Sequence, residues 1–397
     1  MDTKYKETEI GLVPKEWNIV RLGDIVHILD KKRVPLSEDI REKRRGIYPY
    51  CGANGIIDNI NEYIFDGEFV LLAEDGGYWG KYQNSAYIMN GKFWVNNHAH
   101  ILDAIKEKTS NHFLVNYLIY TDMSNLIGGD ARGKLTQQIM KSIPIALPPL
   151  DEQKNIINII SAVQQTREKT ERVINSLNEL KKSAIKHFFT YGVVKFESID
   201  KVKLRNTEFG KIPENWLIIK LNDIFTITSG KARPNDLKTA QVAQHIYPVY
   251  GGNGIMGYSD KYLLESDSIV IGRVGEYCGA TYLTKGKCWI SDNALYIKEL
   301  KKETDLHYLK LALEYLDLNR FKNTGGQPLI SQSIIYSKYI PFPTLIEQEK
   351  ISSIILKINE KIESEEKKRV ALEETFKSLL SNLMTGKIRV NDIKFGS

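Results

Sequence analysis

The sequence has few cysteines and no long apolar run. Only three of its 397 residues are cysteine, and Cys51, Cys278 and Cys288 form no C-x-x-C pair. This argues against a disulfide framework or a zinc knuckle and indicates a reducing, cytoplasmic location. No run approaches the ~18 apolar residues that span a membrane. The charged N-terminal residues 1–7 also lack the apolar core of a signal peptide.

Strong charge imbalance and catalytic motifs are also missing. The net charge of +6 is mildly basic, which permits a nucleic-acid partner without requiring one. Residues 128–134 nearly fit a phosphate loop, but Leu135 stands where Ser or Thr is needed for magnesium. His98 and His100 have no third ligand at metal spacing. With no N-P-P-Y-type loop and no glycine loop for S-adenosylmethionine, we predict a non-catalytic binding protein without cofactor or metal.

What the sequence does contain is a repeat of itself. Residues 9–17, EIGLVPKEW, recur at 208–216 as EFGKIPENW, a shift of 199 positions. The same shift relates the Gly-x-Asn-Gly segments at 52–55 and 251–254, and the later segment 148–153 recurs at 343–348. A period near 200 is the size of a domain, whereas solenoid repeats run to about 20–50 residues. The duplication indicates one framework that presents two different surfaces.

Each copy begins with a globular part. Short β-branched runs at 69–73 and 268–272 predict buried strands, and the Asn-Gly pairs predict type I′ hairpin turns. Residues 114–119 and 308–313 predict helices. We therefore predict two mixed α+β domains, at residues 1–150 and 199–345, followed by helical segments at 151–198 and 346–397.

Each copy ends with a long helix. Residues 152–191 and 347–385 contain no proline and no interior glycine. In alternating steps of four and three, seven of ten positions from Ile156 and eight of ten from Ile351 are apolar. A sustained seven-residue period predicts a coiled-coil seam. The two helices are the predicted partners in that seam.

The helix ends and the helix direction follow from other signals. Thr344 and Glu347 predict a capping box, and Gly192 and Gly386 stand where a C-terminal glycine stop is expected. Antiparallel helices would give the molecule an approximate two-fold axis, with one globular domain at each end. Parallel helices would place both domains at one end, and the connecting chain of about 150 residues does not exclude this.

The duplicated motifs together resemble the specificity subunit of type I restriction–modification systems. They are G-x-x-P-x-x-W followed by LGDI at 22–25 or LNDI at 221–224, the Gly-x-Asn-Gly segments after a Tyr-Pro pair, and the proline-rich segments 145–153 and 340–348. Each motif is weak alone. The complete set occurs twice in the same order and covers essentially the whole chain.

The resemblance implies a fold and a function. It implies two pseudo-symmetric mixed α/β target-recognition domains separated by two long antiparallel coiled-coil helices. Each domain would read one half of a split target in double-stranded DNA. The helices would dock two methyltransferase (M) subunits, and restriction (R) subunits would complete the nuclease. Catalytic residues and the sites for S-adenosylmethionine and ATP would belong to those partners, so the chain alone is expected to be non-catalytic.

Candidate DNA contacts are basic and polar residues at matching places in the two copies. Clustered cations favour a polyanion surface, although solvated side chains stay an alternative. Asn before Gly suits adenine reading or a simple turn, and the tyrosines suit stacking, phosphate contact or core packing. The acidic loop at 74–75 corresponds in sequence to the loop with Arg273 in the second copy. Its carboxylates suit a contact to a cytosine amino group or a structural role. The candidates are Lys31, Lys32, Arg33, Arg41, Lys43, Arg44, Arg45, Asn54, Tyr78, Lys81, Arg132, Lys134, Lys231, Arg233, Lys238, Asn253, Arg273, Tyr277 and Gln327.

Two other functions remain open. One is a specificity subunit that serves a related, fused nuclease–methyltransferase polypeptide. The other is a coiled-coil scaffold whose two domains bind peptides or glycans. Salt separates the scaffold from a DNA reader, because counterion release makes DNA binding weaken steeply as salt rises.

Overall fold

The computed structural model describes residues 4–128, 133–323 and 325–390. The chain forms two compact units, one from residues 1–172 with 366–397, the other from residues 173–365. Each unit combines one globular domain with parts of both long helices. None of the helices within the described ranges has the length and apolar character needed to cross a membrane.

The first unit is built around a six-stranded mixed sheet. The strands of the whole unit are β1 (Tyr5–Thr8), β2 (Gly11–Pro14), β3 (Asn18–Arg21), β4 (Val26–Ile28), β5 (Arg45–Gly52), β6 (Gly55–Ile60), β7 (Phe65–Ala73), β8 (Ala86–Val95), β9 (Ala99–Ala104) and β10 (Pro144–Leu147). Its short helices are α1 (Glu38–Lys43), α2 (Asn111–Tyr120) and α3 (Gln137–Lys141). The main sheet has the order β4-β9-β7-β8-β5-β6, in which only β5 and β8 are parallel. The predicted strand at 69–73 and helix at 114–119 are confirmed.

The core of the first unit joins this sheet to both long helices. Trp17, Val70 and Leu114 are fully buried and belong to the same apolar cluster as Ile156 and Leu380 of the two helices. A fully buried side chain of this size contributes about 1.5–3 kcal/mol to stability. The domain is therefore anchored on the helices through its own core.

The second unit repeats the frame of the first. Its strands are β11 (Leu204–Thr207), β12 (Gly210–Pro213), β13 (Leu217–Lys220), β14 (Phe225–Ser229), β15 (Tyr247–Gly251), β16 (Gly254–Ser259), β17 (Ile269–Gly272), β18 (Thr281–Leu283), β19 (Trp289–Ile290), β20 (Ala294–Leu300) and β21 (Tyr339–Phe342). Its short helices are α4 (Leu221–Ile224), α5 (Leu306–Leu316) and α6 (Gln332–Tyr336). The sheet orders are β14-β20-β17-β18 and β16-β15-β19. Where β8 is one long strand in the first unit, the second unit has β18 and β19, so its sheet is divided. The predicted strand at 268–272 and helix at 308–313 are confirmed.

The two long helices run antiparallel in each unit. The first spans Leu150–Tyr191 and the last spans Leu345–Met384; we label them αL1 and αL2. In the first unit, Glu152 near the start of αL1 pairs with Arg389 just beyond αL2, and Arg167 pairs with Glu373. In the second unit, the end of αL1 meets the start of αL2. All positions of the predicted seven-residue seam are buried or half-buried, except Arg369. The seam and the antiparallel direction are confirmed.

The prediction of a capping box at the start of αL2 is wrong. Both Glu347 carboxylate oxygens are used elsewhere, accepting hydrogen bonds from the Val193 amide at 3.2 Å and from Trp216 Nε1 at 3.0 Å. In the first unit, Trp17 Nε1 donates to Glu152 at the same 3.0 Å distance. The tryptophan of the first motif therefore meets the glutamate of the second motif in both units.

Glycine ends both long helices, as predicted. Gly192 and Gly386 follow the last helical turns with φ of +73° and +65°, which is the left-handed C-terminal stop. A Cβ on Gly192 would also lie 2.4 Å from Glu347 Oε1, and one on Gly386 would lie 2.4 Å from Pro14 Cγ. Glycine is therefore needed for both conformation and space.

The Asn-Gly hairpins exist, but their predicted turn type is wrong. Strands β5 and β6 pair up to Gly52 and Gly55, and β15 and β16 pair up to Gly251 and Gly254. A type I′ turn needs positive φ at both central residues, yet in each loop the positive φ falls on the following glycine, +125° at Gly55 and +88° at Gly254. This resembles the three-residue hairpin loop, in which a glycine follows a type I turn.

Candidate nucleic-acid interface

Five separate segments of the first unit meet at one edge of its sheet. They are the short helix Asp30–Lys32, the hairpin tip 53–55, the loop 74–77, the turn 96–98 and residues 133–135; we call them the first loop edge. Asn54 Nδ2 donates to the Gly76 carbonyl at 2.9 Å. The Glu74 amide donates to the His98 carbonyl at 2.9 Å, and the Leu135 amide donates to the Glu74 carbonyl at 2.7 Å. Backbone hydrogen bonds thus hold the segments together.

A charged network lies beneath the first loop edge. The buried Glu74 carboxylate pairs with the Arg33 guanidinium and with Lys134 Nζ, the latter at 2.9 Å. Asp30, also buried, accepts from His100 Nδ1 at 2.7 Å. Burial alone would raise the pKa of the Asp30 carboxyl, but hydrogen bonds from His100, the Ile101 amide and Gln137 outweigh it, so the pKa is lowered. The network keeps both carboxyl groups ionised.

His100 gains carboxylate neighbours that sequence reasoning missed. Ligand atoms of Asp30, Glu74 and His100 lie within 4.8 Å of one another, close enough to hold a metal ion. However, His100 Nε2 lies 2.8 Å from the Leu135 carbonyl, so this nitrogen must donate, while Nδ1 faces carboxylates. Arg33 also supplies the positive charge that a metal would bring. The arrangement fits an ion-pair network better than a metal site.

The second unit has an equivalent edge, in which the central charged residue is an arginine. We call residues 252–254, 273–276, 291–293, 325–329 and Lys231 the second loop edge. The Arg273 amide donates to the Asn293 carbonyl at 3.0 Å, the Ile330 amide to the Arg273 carbonyl at 2.9 Å, and the Gly275 amide to the Pro328 carbonyl at 2.8 Å. The first two of these bonds repeat those of Glu74, so Arg273 stands where the first unit has a buried carboxylate.

The charge of Arg273 is not neutralised by any residue that the structure describes. Among the described residues, its side-chain hydrogen bond goes from Nη1 to Ser229 Oγ, at 3.4 Å. The side chain is half-buried, which limits its solvation by water. An arginine held in this way can still offer its donors to a phosphate or a guanine edge.

The predicted cations fall into two groups. Six are exposed and have no ion-pair partner within residues 4–128, 133–323 and 325–390: Lys31, Lys32, Lys43, Arg45, Lys231 and Arg233. Five are ion-paired: Arg33, Arg41, Arg44, Lys134 and Lys238. Lys81 lies over the rings of Tyr82 and Tyr120, and Arg132 lies outside the described residues. Intramolecular pairing explains part of the cation clustering that the sequence displays.

The predicted tyrosines and polar residues are exposed. Tyr78 and Tyr277 are 59% and 58% exposed, so the core-packing alternative is wrong for both. Asn54 and Asn253 are exposed at the hairpin tips, and Gln327 is exposed in the second loop edge. For the acidic loop, the geometry supports the structural alternative, because Glu74 is enclosed by cations and Asp75 pairs with His98 at 2.5 Å.

Comparison with known proteins agrees with this architecture. The sequence pattern of the family described as "Type I restriction modification DNA specificity domain" matches residues 14–179 and 213–374. The chain is 26% identical to the type I restriction enzyme MjaVIII specificity subunit of Methanocaldococcus jannaschii, over 99% of this chain and 98% of the relative. It is 23% identical to the EcoDI specificity subunit of Escherichia coli, over 86% and 81%.

A solved structure has the same fold. The S subunit of a type I restriction–modification system from M. genitalium superposes with a TM-score of 0.69, covering 96% of this chain and 99% of that one at 17% identity. The family match extends over both globular domains and into both long helices. The chain therefore belongs to the family of type I restriction-modification DNA specificity domains and carries two copies of that domain.

Proposed function

We propose that this chain is the non-catalytic specificity subunit of a type I restriction–modification complex and reads a two-part target in double-stranded DNA. Residues 1–150 would read one half and residues 199–345 the other. The observation that carries the proposal is the loop edge, built twice on one backbone frame with different side chains. A repeated frame with divergent side chains suits the reading of two different base sequences.

The proposed contacts differ between the halves. In the first half, the exposed Lys31, Lys32 and Arg45 bind phosphates, and Asn54 and Tyr78 approach the bases. In the second half, Lys231 and Arg233 bind phosphates, while Arg273, Tyr277 and Gln327 approach the bases. The ion-paired cations, such as Arg33 and Lys134, hold the loop edge in shape. Phosphate contacts position the protein, and base contacts supply the sequence preference.

The proposed partners follow from the family. Two methyltransferase (M) subunits dock on the spacer segments 151–198 and 346–397, and restriction (R) subunits complete the nuclease. Catalysis and its cofactors then belong to the partner chains. Support comes from the names of the relatives, which are specificity subunits of type I restriction enzymes. The three cysteines are buried free thiols, in keeping with a proposed location in the reducing cytosol.

Salt-dependent DNA binding by the assembled complex tests the proposal. The target is found by methylome sequencing, and changing either half of it should lower affinity. In a plot of log binding constant against log salt concentration, Lys31→Ala combined with Lys32→Ala should lower the steepness of the slope by up to about 2. Each phosphate contact contributes about 0.9 to that slope. The control is Lys106→Ala, an exposed lysine beyond the opposite end of β9, which should leave the slope unchanged.

Two results would contradict the proposal. The first is that DNA binding by the complex does not weaken as salt rises, which would favour a peptide- or glycan-binding scaffold. The second is a target with a single continuous recognition sequence, which would mean that the two domains do not read separate halves. An unchanged slope in the double variant would remove only Lys31 and Lys32 from the contact set.

A further inference from the structure

An exposed isoleucine follows the hairpin tip in both units. Ile56 on β6 pairs with Cys51, and Ile255 on β16 pairs with Tyr250, so the two isoleucines occupy equivalent positions. They are 57% and 50% exposed. Single exposed apolar residues are common and need no explanation. Here, however, an exposed isoleucine occurs at the same place in both copies, although the neighbouring loops have diverged. This coincidence does need an explanation.

The next residue in each hairpin lies over a glycine. A Cβ on Gly52 would lie 2.3 Å from Ile57 Cδ1, and a Cβ on Gly251 would lie 3.2 Å from Met256 Sδ. Ile57 and Met256 have no cross-strand partner, because the register is irregular at these residues, whereas Ile56 and Ile255 are paired. Ile57 and Met256 are themselves 55% and 40% exposed. Packing within the hairpin therefore accounts for part of the apolar surface of Ile57 and Met256.

A half-buried tyrosine holds each tip in place. Tyr87 Oη donates to the Gly52 carbonyl at 2.6 Å, and Tyr282 Oη donates to Asn253 Oδ1 at 3.4 Å. Burial raises the pKa of both phenols, so both remain hydrogen-bond donors at neutral pH. A tip held in advance loses little conformational entropy when it binds a ligand.

The size and charge of the first hairpin fit a DNA groove. The hairpin forms one edge of the sheet, with β6 outermost, and the major groove admits a two-stranded ribbon. Ile56 lies four residues from Ile60, the partner of Arg45, or about 13 Å at ~3.3 Å per residue. The groove is ~12 Å wide and ~8.5 Å deep. With Ile56 at the base edges, the exposed Arg45 is at the level of the phosphates.

We propose that Ile56 and Ile255 are specificity-determining residues that contact the apolar surface of bases, one in each half of the target. Two sources could supply that surface, the 5-methyl group of thymine in the groove or a base face at a partly unstacked step. The inference rests on the proposed function and adds to it an apolar contact beside the polar ones. Neither isoleucine was among the contacts predicted from sequence.

Single substitutions in the assembled complex test this inference. Ile56→Ala and Ile255→Ala should each weaken binding to the native target by about tenfold or more, since each CH2 buried on binding is worth about fourfold. Each should relax base preference in one half only and leave the salt slope unchanged, because no charge is lost. The matched control is Ile47→Ala, an 81% exposed isoleucine at the base of the same hairpin, which should retain native preference.

Uracil replacement distinguishes the two sources of apolar surface. If thymine methyl groups are contacted, uracil at one position in the half-site should weaken native binding and have no further effect on Ile56→Ala. If a base face is contacted, uracil should change nothing while Ile56→Ala still weakens binding. Both patterns support the inference.

Two outcomes overturn it. One is native affinity and base preference in both isoleucine variants. The other is a loss of complex assembly in the absence of DNA, measured by size-exclusion chromatography with light scattering, because the isoleucines would then contact a protein subunit. The native complex tests the proposed function separately from this inference. It must show steep, salt-dependent binding to a two-part target before the results of the isoleucine variants are interpreted.

Discussion

The Glu74 carboxylate connects the first loop edge to Arg33 and Lys134, so Glu74→Gln should destabilise the first unit. The side chain is 10% exposed and pairs with Arg33 and Lys134. Glutamine keeps the size of the side chain but removes the negative charge and turns an amide N–H group towards two cations. Arg33 then stays 14% exposed without its nearest counter-charge.

The expected loss is about 3 kcal/mol of unfolding free energy. Removing one partner of a buried ion pair typically costs ~3–5 kcal/mol. We expect the lower end because Asp30 remains 3.6 Å from Arg33 and the Lys134 side chain, 48% exposed, can turn to water. For a unit of roughly 200 residues, this corresponds to a fall in Tm of about 6–12 °C.

Acid should reduce the difference between native and variant. Burial alone would raise the pKa of Glu74, but hydrogen bonds from Arg33 and Lys134 outweigh it and lower the pKa below its usual 4.5. A carboxyl group with a lowered folded-state pKa stabilises the protein above its unfolded pKa, and this contribution is lost as pH falls through the folded value. The gap should therefore be complete at pH 7 and shrink once the pH falls below about 4.5.

Calorimetry and urea unfolding at several pH values measure this, following the transition of the first unit. The control is Glu62→Gln, because Glu62 pairs with Arg44 at 2.6 Å but is itself 64% exposed, and exposed pairs contribute little. The reasoning fails if Glu74→Gln destabilises no more than Glu62→Gln. It also fails if the gap stays constant into acid.

Two further changes test the motif junction and a helix stop. Trp216→Phe keeps the ring but removes the N–H that donates to Glu347, so urea unfolding of the second unit should show a loss of about 1–3 kcal/mol; an unchanged midpoint would count against this bond. Gly386→Ala imposes a left-handed conformation costing ~1–2 kcal/mol and brings Cβ to 2.4 Å from Pro14, so it should destabilise more than Gly11→Ala, whose Cβ would meet nothing within 4 Å. Equal melting temperatures for the two would rule out the close approach.

Local patterns predicted the architecture well where one physical cause dominates. Seven-residue apolar spacing defines a buried helix face over many turns, and its positions from Ile156 and Ile351, apart from Arg369, are indeed buried or half-buried. A glycine after such a run has few alternatives to the left-handed stop, as Gly192 and Gly386 show. The duplication predicted two copies of one fold, because two versions of the same pattern meet the same packing constraints.

Local patterns failed where a distant group competed for the same atoms. Thr344 and Glu347 have the spacing of a capping box, but Glu347 instead accepts the indole N–H of Trp216, 131 residues away in sequence. The Asn-Gly turns were assigned the wrong type because the positive φ belongs to the glycine rather than to the asparagine. In both cases a short motif allowed more than one geometry, and the surrounding structure selected among them.

The sequence by itself determined the two domains and the long helices, since these follow from repeats and periodic apolar spacing that a linear pattern records. The family followed from the resemblance of the duplicated motifs. Only the tertiary structure decided which charges are available to a ligand. Arg33, Glu74 and Lys134 come together because separate segments of the chain end at one edge of the sheet. Their pairing depends on distances in space, which spacing along the chain does not encode. For the same reason, only the folded hairpins show that Ile56 and Ile255 are exposed at equivalent positions of the two units.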